Sequence, residues 1–438
     1  MKNNGLIMQY FENNLPCDHT LWAKLKNDAN KLKNMGVTAV WCPPAYKGAD
    51  GVTDNGYKVY DSYDLGEFNQ KGSVPTKYGT KEEYLEAIKA LHDKSIQVYA
   101  DIVVNRRYGA DAVEYISGKE FNENSRNQMV GEEKVICGYT KFTFSGRKTK
   151  YSKKKYNWMD FNGIDWNPEL EINDEKSDYV MSNELDFDNM EVVEEIEKWG
   201  EWYLKVTGVD GFRLDDIKRI GHYFYRDWLP KISEVAEKPM FYMGDYWHWD
   251  VSRLNRYIEN TKQTMSLLDV PLHYKLHDAS KSHGNYDMKT ILEGTLVQSN
   301  PLRAVTFVDN HITVPGEIKQ SMVEEWFKGH AYALILLRES GYPCVFYGDY
   351  YGMPSHKMKP MKKMLDQLMK LRKKNAYGVT HDYFDDSSVI GWTREGDDDH
   401  KDSGLAVVMS DGISGTKRMY IGRNFAGSHF IDALGNAK

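Results

Sequence analysis

From about Leu6 to Gly378, short apolar runs alternate with amphipathic stretches of helical period, the pattern of parallel strands joined by helices. Strands are predicted at 6–11, 37–41, 96–104, 209–214, 239–244, 265–270, 303–308 and 343–347. In the first helical stretch, 20–35, Leu21, Leu25, Ala29 and Leu32 share one face, and Gly36 is placed as a C-terminal cap. Thr80 and Glu83 form a capping box that opens a second helix ending near Lys94. Further helices are read at 191–205, 222–236, 250–261, 323–339 and 361–375. Eight strands with their helices fit a (β/α)8 TIM barrel. An open doubly wound sheet is the alternative, but no Gly-rich phosphate turn follows an early strand.

The alternation breaks at 106–189, a stretch rich in Lys, Asn, Gly and aromatics and too long for an ordinary connection, which reads as an inserted domain after strand three. Its basic run, Arg147 to Lys155, reads as a solvated face rather than an anion site. Beyond Gly378 short strands are expected at 388–392, 404–409, 417–421 and 430–432, a small C-terminal β domain over 379–438. The barrel is thus assigned to 1–105 and 190–378.

Composition narrows the partners. A net charge of −7 offers no broad attraction to nucleic acid or to an anionic membrane, and no run of about 18 apolar residues is present to span one. Tyrosine and tryptophan are abundant at 30 and 11, which suits stacking on sugar faces as well as core packing. The N-terminus shows no secretion signal, and the cysteines, Cys17, Cys42, Cys137 and Cys344, lie in no metal-type spacing. A reducing cytoplasm is expected. Nothing in the sequence sets an oligomeric state.

Reactive residues of a barrel gather at the C-terminal ends of its strands, where Asp101, Asp215, Asp216, Asp245 and Asp309 fall. A retaining glycosidase needs a nucleophilic carboxylate and a protonated carboxyl, and Asp215 and Asp245 are the natural pair. Arg213 precedes Asp215 by two residues, so both point to one face and the cation would hold the carboxylate ionised. Asp216 then points to the opposite face. Tyr46, Tyr57, Trp247 and His248 are candidates for a sugar platform at the barrel mouth, and His311 for a bond to a sugar hydroxyl.

Four segments, Asp101–Arg106, Gly211–Asp215, Met243–Trp247 and Phe307–Ile312, resemble the four signature regions of the α-amylases, glycoside hydrolase family 13. Stretches such as Gly5–Glu12, Thr38–Gly48, Tyr63–Gly72 and Ser340–Asp349 extend the likeness to bacterial liquefying α-amylases over nearly the whole chain. The resemblance implies a barrel with an inserted domain and a C-terminal β domain, acting on α-1,4-glucans. It implies Asp215 as nucleophile, Asp245 at the general-acid position, and Tyr57, Asp101, Arg213, Lys218, Trp247 and His311 as substrate-side residues. It also implies a structural calcium held by Asn105, Asp178, Glu184 and the Arg219 carbonyl.

Three positions of the four signature regions depart from the family pattern. The general-acid Glu is Asp245, the third catalytic Asp is Ile312, and a histidine is Arg106. Asp withdraws the acid by about 1.5 Å, one C–C bond, and misplacement near 1 Å costs roughly 10²-fold. Losing one electrostatic stabiliser of the transition state typically costs ~2.7–4 kcal/mol. Arg106 puts a bulky cation where an imidazole is expected, positioned to crowd the sugar or to take a carboxylate. Among platform and calcium residues, Asn13, Asn14 and Lys58 replace an aromatic pair and a glycine, and Glu184 and Asn162 stand in for aspartates. The chain also stops at Lys438 where relatives continue, so the β domain is expected to be truncated with an unpaired edge. The reading favoured is a glucan-binding α-amylase relative with hydrolysis severely impaired or absent. The alternative is an active, retaining, endo-acting α-1,4-glucan hydrolase, and transglycosylation is not separable from it.

Overall fold

The computed structural model describes residues 4–122, 125–161, 184–412 and 414–435. Eight parallel strands close into a barrel: Ile7–Gln9, Ala39–Cys42, Gln97–Ile102, Gly211–Leu214, Phe241–Gly244, Ser266–Leu268, Ala304–Phe307 and Tyr342–Phe346, strands one to eight here. Strand one pairs with both strand two and strand eight, which completes the ring and leaves no edge. Nearly every strand residue is buried, because helices cover the outside and side chains fill the inside.

The helical signals act where they were read. Gly36 adopts φ 93°, a left-handed conformation that suits glycine, and its amide reaches back to the end of helix Leu21–Met35. The Thr80 hydroxyl accepts from the Glu83 amide while the Glu83 carboxylate accepts from the Thr80 amide, opening helix Lys81–His92. The longest helix missed is Val270–Lys281 after strand six; the short helices Leu296–Ser299 and Tyr347–Tyr351 were missed as well. The Asp269 cap of Val270–Lys281 and Pro271 in its first turn are a readable start signal.

Within 106–189 the described residues include an antiparallel ribbon, Ala112–Asn122 with Ser125–Lys141. The basic run is not a solvated face throughout. Arg147 is buried, its Nε 2.8 Å from Asp61 Oδ2, and Lys154 Nζ lies 2.7 Å from Asp160. Arg147 ties the segment to the barrel side at Asp61, whereas the Lys154 pair with Asp160 lies within the segment.

A three-stranded antiparallel sheet follows, Thr380–Tyr383, Val389–Arg394 and Leu405–Ser410. Strand Thr380–Tyr383 was not foreseen, and the strands expected at 417–421 and 430–432 do not form. Trp392 is fully buried and its Nε1–H donates to the Leu337 carbonyl, so this sheet packs on helix Glu325–Leu337. Ile431, by contrast, is 90% exposed, which is why its β propensity goes unused. Among the described residues no helix is long and apolar enough to cross a membrane.

Candidate active site

The carboxylates sit on the barrel's own ladder. Asp101 and Arg213 are register partners on strands three and four. One residue beyond the strand ends, the Asp215 amide donates to the Ile102 carbonyl at 2.9 Å and the Asp245 amide to the Leu214 carbonyl at 2.9 Å. The backbone thus carries three acidic side chains to one end of the barrel. Gly244 keeps the approach to Asp245 tight, since a Cβ there would stand 2.5 Å from Ile217 Cδ1.

Arg213 is the centre of the cluster. Fully buried, it donates through Nη1 to Asp101 Oδ1 at 2.9 Å and to Asp215 Oδ1 at 2.8 Å, and through Nη2 to Asp245 Oδ2. The guanidinium lies against the Trp41 and Tyr57 rings, 5.2 and 5.9 Å from their centroids. One planar fork binding three carboxylates is what makes their burial tolerable.

A second cation closes on Asp215. Arg106 Nη2 donates to Asp215 Oδ2 at 2.5 Å, and its Nε reaches the Tyr57 carbonyl at 3.3 Å. Both oxygens of Asp215 therefore face guanidinium groups. Of the two fates foreseen for Arg106, it takes the carboxylate.

Asp101 is held by more than Arg213. Its Oδ2 accepts from Tyr57 OH at 2.7 Å and Trp41 Nε1 at 2.9 Å. Burial pushes the Asp101 carboxyl up to about 6, with Arg213 opposing and Asp215 adding. Burial does the same at Asp245, again to about 6, with Arg213 opposing and Asp215 and Asp216 adding. Asp245 Oδ1 is buried without a hydrogen-bond partner among the described residues.

His311 lies flat on Tyr57, ring centroids 5.1 Å apart at 7°. Its Nδ1 accepts from Gln9 Nε2 at 2.9 Å, which places the proton of the neutral ring on Nε2. Burial first, and Arg213 second, hold it well below the usual histidine range, so the ring is neutral. Ile312 packs on the core next door.

Lys218 and Trp247 meet one another: Lys218 Nζ donates to the Trp247 carbonyl at 3.2 Å, and Trp247 Nε1 donates to Tyr274 OH at 2.8 Å. Asp216 turns away, at φ 40°, and binds Arg219 Nε at 2.8 Å. Two candidates belong elsewhere. Tyr46 is a core residue whose hydroxyl accepts from the Val103 amide, and Asp309 pairs with buried Lys328 at 2.9 Å. Sequence reasoning passed over Gln9 and Trp41 as site residues. The signal for Gln9 was a fully polar side chain inside an apolar strand.

The residues implied for calcium give a partial donor set. Asn105 is buried, and neither atom of its side-chain amide has a partner among the described residues, so an oxygen ligand is on offer. Glu184 lies beside it in the chain fold, because Arg106 and Glu184 form a β-bridge, and its carboxylate is 3.6 Å from Arg219 Nε. Asp178 and Asn162 lie outside the described residues.

Comparison with known proteins agrees with this geometry. The model "Alpha amylase, catalytic domain" matches residues 25–398. The chain is 48% identical to an α-amylase of Geobacillus stearothermophilus, over 99% of this chain and 82% of the relative. It is 47% identical to a glucan 1,4-α-maltohexaosidase of Bacillus sp. (strain 707), over 99% and 87%. It is 40% identical to a cytoplasmic α-amylase of Escherichia coli (strain K12), over 99% and 93%. The crystal structure of an α-amylase from Geobacillus thermoleovorans complexed with acarbose superposes with a TM-score of 0.62 over 93% of this chain and 86% of that one, and at 17% identity it shows the fold alone. A barrel with its carboxylates at the strand ends, matched by the family model over residues 25–398, belongs to the α-amylase family.

Proposed function

We propose that this protein binds α-1,4-glucans, as starch, glycogen or maltooligosaccharides, and that its hydrolysis of them is severely impaired or absent. The observation that carries the proposal is the double guanidinium grip on Asp215. A retaining nucleophile needs a lone pair directed at the anomeric carbon. Here one oxygen is bound by Arg213 and the other by Arg106 at 2.5 Å. Charge neutralisation of this kind lowers nucleophilicity, and the Arg106 side chain takes up space beside the carboxylate.

The acid position adds to the loss. Asp245 has the raised affinity for protons that an acid requires, but it is bound to Arg213, which favours the ionised form. Ile312 supplies no hydrogen bond from its side chain to a developing oxocarbenium ion. Binding depends on other groups. Tyr57, His311 and Asp101 keep an ordered set of ring faces and polar edges at the barrel mouth.

The 40% identical relative named as cytoplasmic and the four unpaired thiols support a cytoplasmic setting. The division into barrel (1–105 and 190–378), inserted domain (106–189) and C-terminal β domain (379–438) belongs to the same reading. So does a structural calcium at Asn105 and Glu184.

The test compares reducing-sugar release from soluble starch by the parent and by the Arg106→His, Asp245→Glu, Ile312→Asp triple variant, with glycogen binding followed by sedimentation. The parent is expected to bind and not to cut, and the triple variant to gain at least about 10²-fold in rate, the scale of one corrected misplacement. A parent that cuts as fast as the triple variant sinks the impaired reading in favour of the active hydrolase. The Asp245→Glu, Ile312→Asp double variant is expected to fall well short of the triple, because Arg106 still grips Asp215.

A further inference from the structure

Charge is unevenly spread over this molecule. The run 355–375 carries seven lysines and one arginine against a single carboxylate, Asp366, in a chain whose net charge is −7. The net figure describes the surface as a whole and hides this local excess. Asp366 is already engaged, accepting from Tyr350 OH at 2.8 Å and lying 3.4 Å from Lys362 Nζ. Arg372 is buried, but all seven lysines are exposed.

Helix Lys362–Asn375 sets the geometry. It buries Leu365, Leu368, Met369 and Arg372 against the barrel. Lys363, Lys370 and Lys374, spaced i, i+7 and i+11, form one stripe on the side opposite that face. Along the edge of the stripe, Lys373 Nζ donates to the Lys33 and Asn34 carbonyls, both at 3.3 Å, at the end of helix Leu21–Met35. The basic surface thus continues to exposed Lys33 on the neighbouring helix.

The fold makes little use of these charges. Lys357, Lys359, Lys363, Lys370 and Lys374 have no hydrogen bond or ion pair among the described residues. Lys363 also sits in a first turn that holds no acidic residue, where the positive end of the helix dipole disfavours a cation. An external anionic surface would offset that cost.

The form of the patch selects among polyanions. The helix is packed on the barrel along one face, so it is not free to enter a nucleic-acid groove. Its exposed cations are lysines, point charges without the planar fork that reads a base edge, and the run contains no Phe, Tyr or Trp to stack on a base. Met364, 41% exposed, adds apolar atoms beside the stripe. A bilayer surface asks only for a field of positive charge and accepts such atoms at its interface. We propose that this face of the barrel adsorbs to anionic lipid, with Lys363, Lys370 and Lys374 as its principal contacts. The proposal is independent of the glucan-binding reading.

The test is co-sedimentation of the full chain with vesicles of phosphatidylcholine alone and with about 30% phosphatidylserine, at roughly 50 mM salt, where screening is weak. The parent is expected on the anionic vesicles only. The Lys363→Gln, Lys370→Gln, Lys374→Gln triple variant is expected to lower the partition coefficient at least about twentyfold, at roughly fivefold per lysine. Its thermal midpoint should equal or exceed the parent's, and arginine at the same three positions should keep the partition. Failure of the parent to bind the anionic vesicles, or equal partition of the parent and the glutamine variant, overturns the proposal. Tighter binding of the parent to duplex DNA than to the vesicles at the same salt overturns the lipid assignment in favour of nucleic acid.

Discussion

Asp245 is a carboxyl whose surroundings prefer it protonated. Burial pushes it up to about 6, against roughly 3.9 in an unfolded chain. Between about pH 4 and pH 6 the folded state therefore binds more protons than the unfolded one, and stability falls as pH rises across that window. A difference of roughly two pH units corresponds to ~3 kcal/mol of destabilisation, fully developed above pH 6. Asp245→Asn removes the titration but also takes a partner from Arg213, so its net gain is expected at about 1–2 kcal/mol at pH 8 and near zero at pH 4. Urea denaturation at the two pH values checks this. A variant less stable than the parent at pH 8 would mean that Arg213 needs the third carboxylate more than burial penalises it.

At the scale of elements, what could be read depended on what the local sequence had to say. The eight strands were legible because barrel strands buried on both faces are short apolar runs, and their ends fell within a few residues of those expected. Helix Val270–Lys281 was not, although Asp269 announces it. That buried carboxylate accepts from the Leu272 amide at 3.1 Å, from Leu296 at 3.0 Å and from Val297 at 2.7 Å, so it caps two helices at once. The second, Leu296–Ser299, is remote in sequence, and its dependence on Asp269 is invisible without the fold. Asp269→Ala would orphan three buried amides and is expected to cost ~3 kcal/mol or more, seen as a lower denaturation midpoint with an unchanged slope. Asp269→Asn keeps acceptor oxygen and should lose markedly less. Equal losses in the two variants would argue that charge, rather than acceptance, does the capping. The failed strands at 417–421 and 430–432 teach the converse lesson: β-type residues make a strand only where a neighbour and a buried face exist.

Among the described residues, two clusters of buried charges, around Arg213 and around Lys328, are closed sets, and sequence reasoning could name members without seeing the sets. Asp101, Arg213, Asp215 and Asp245 were legible as site residues because strand ends and parity put them on one face; that a single guanidinium binds three of the carboxylates was not. Asp309 looked like a further site residue, but Lys328 and Asp349 make it part of a second buried set linking helix Glu325–Leu337 to the residues after strands seven and eight. Lys328→Met would leave two buried carboxylates without their cation, and is expected to cost ~3–5 kcal/mol, read by chemical denaturation.

The junction between strand three and Glu184 brings a partial set of this kind together among the described residues. Asn105 sits there with an amide that has no partner among the described residues, the Leu185 amide donates to its backbone carbonyl at 2.8 Å, and Glu184 is 3.6 Å from Arg219. A calcium bound here would tie the two segments together, and because it binds only the folded state it would raise stability by mass action. Removing it with a chelator is expected to lower the thermal midpoint of the parent by several degrees, on the order of 1–3 kcal/mol, and readdition of calcium, but not magnesium, to restore it. Asn105→Leu fills the site with apolar atoms, so its midpoint should no longer respond to chelator. A parent insensitive to chelator would mean that the Arg219 guanidinium already supplies the positive charge that Glu184 requires, making the junction another ion-paired set of the kind built around Arg213 and Lys328.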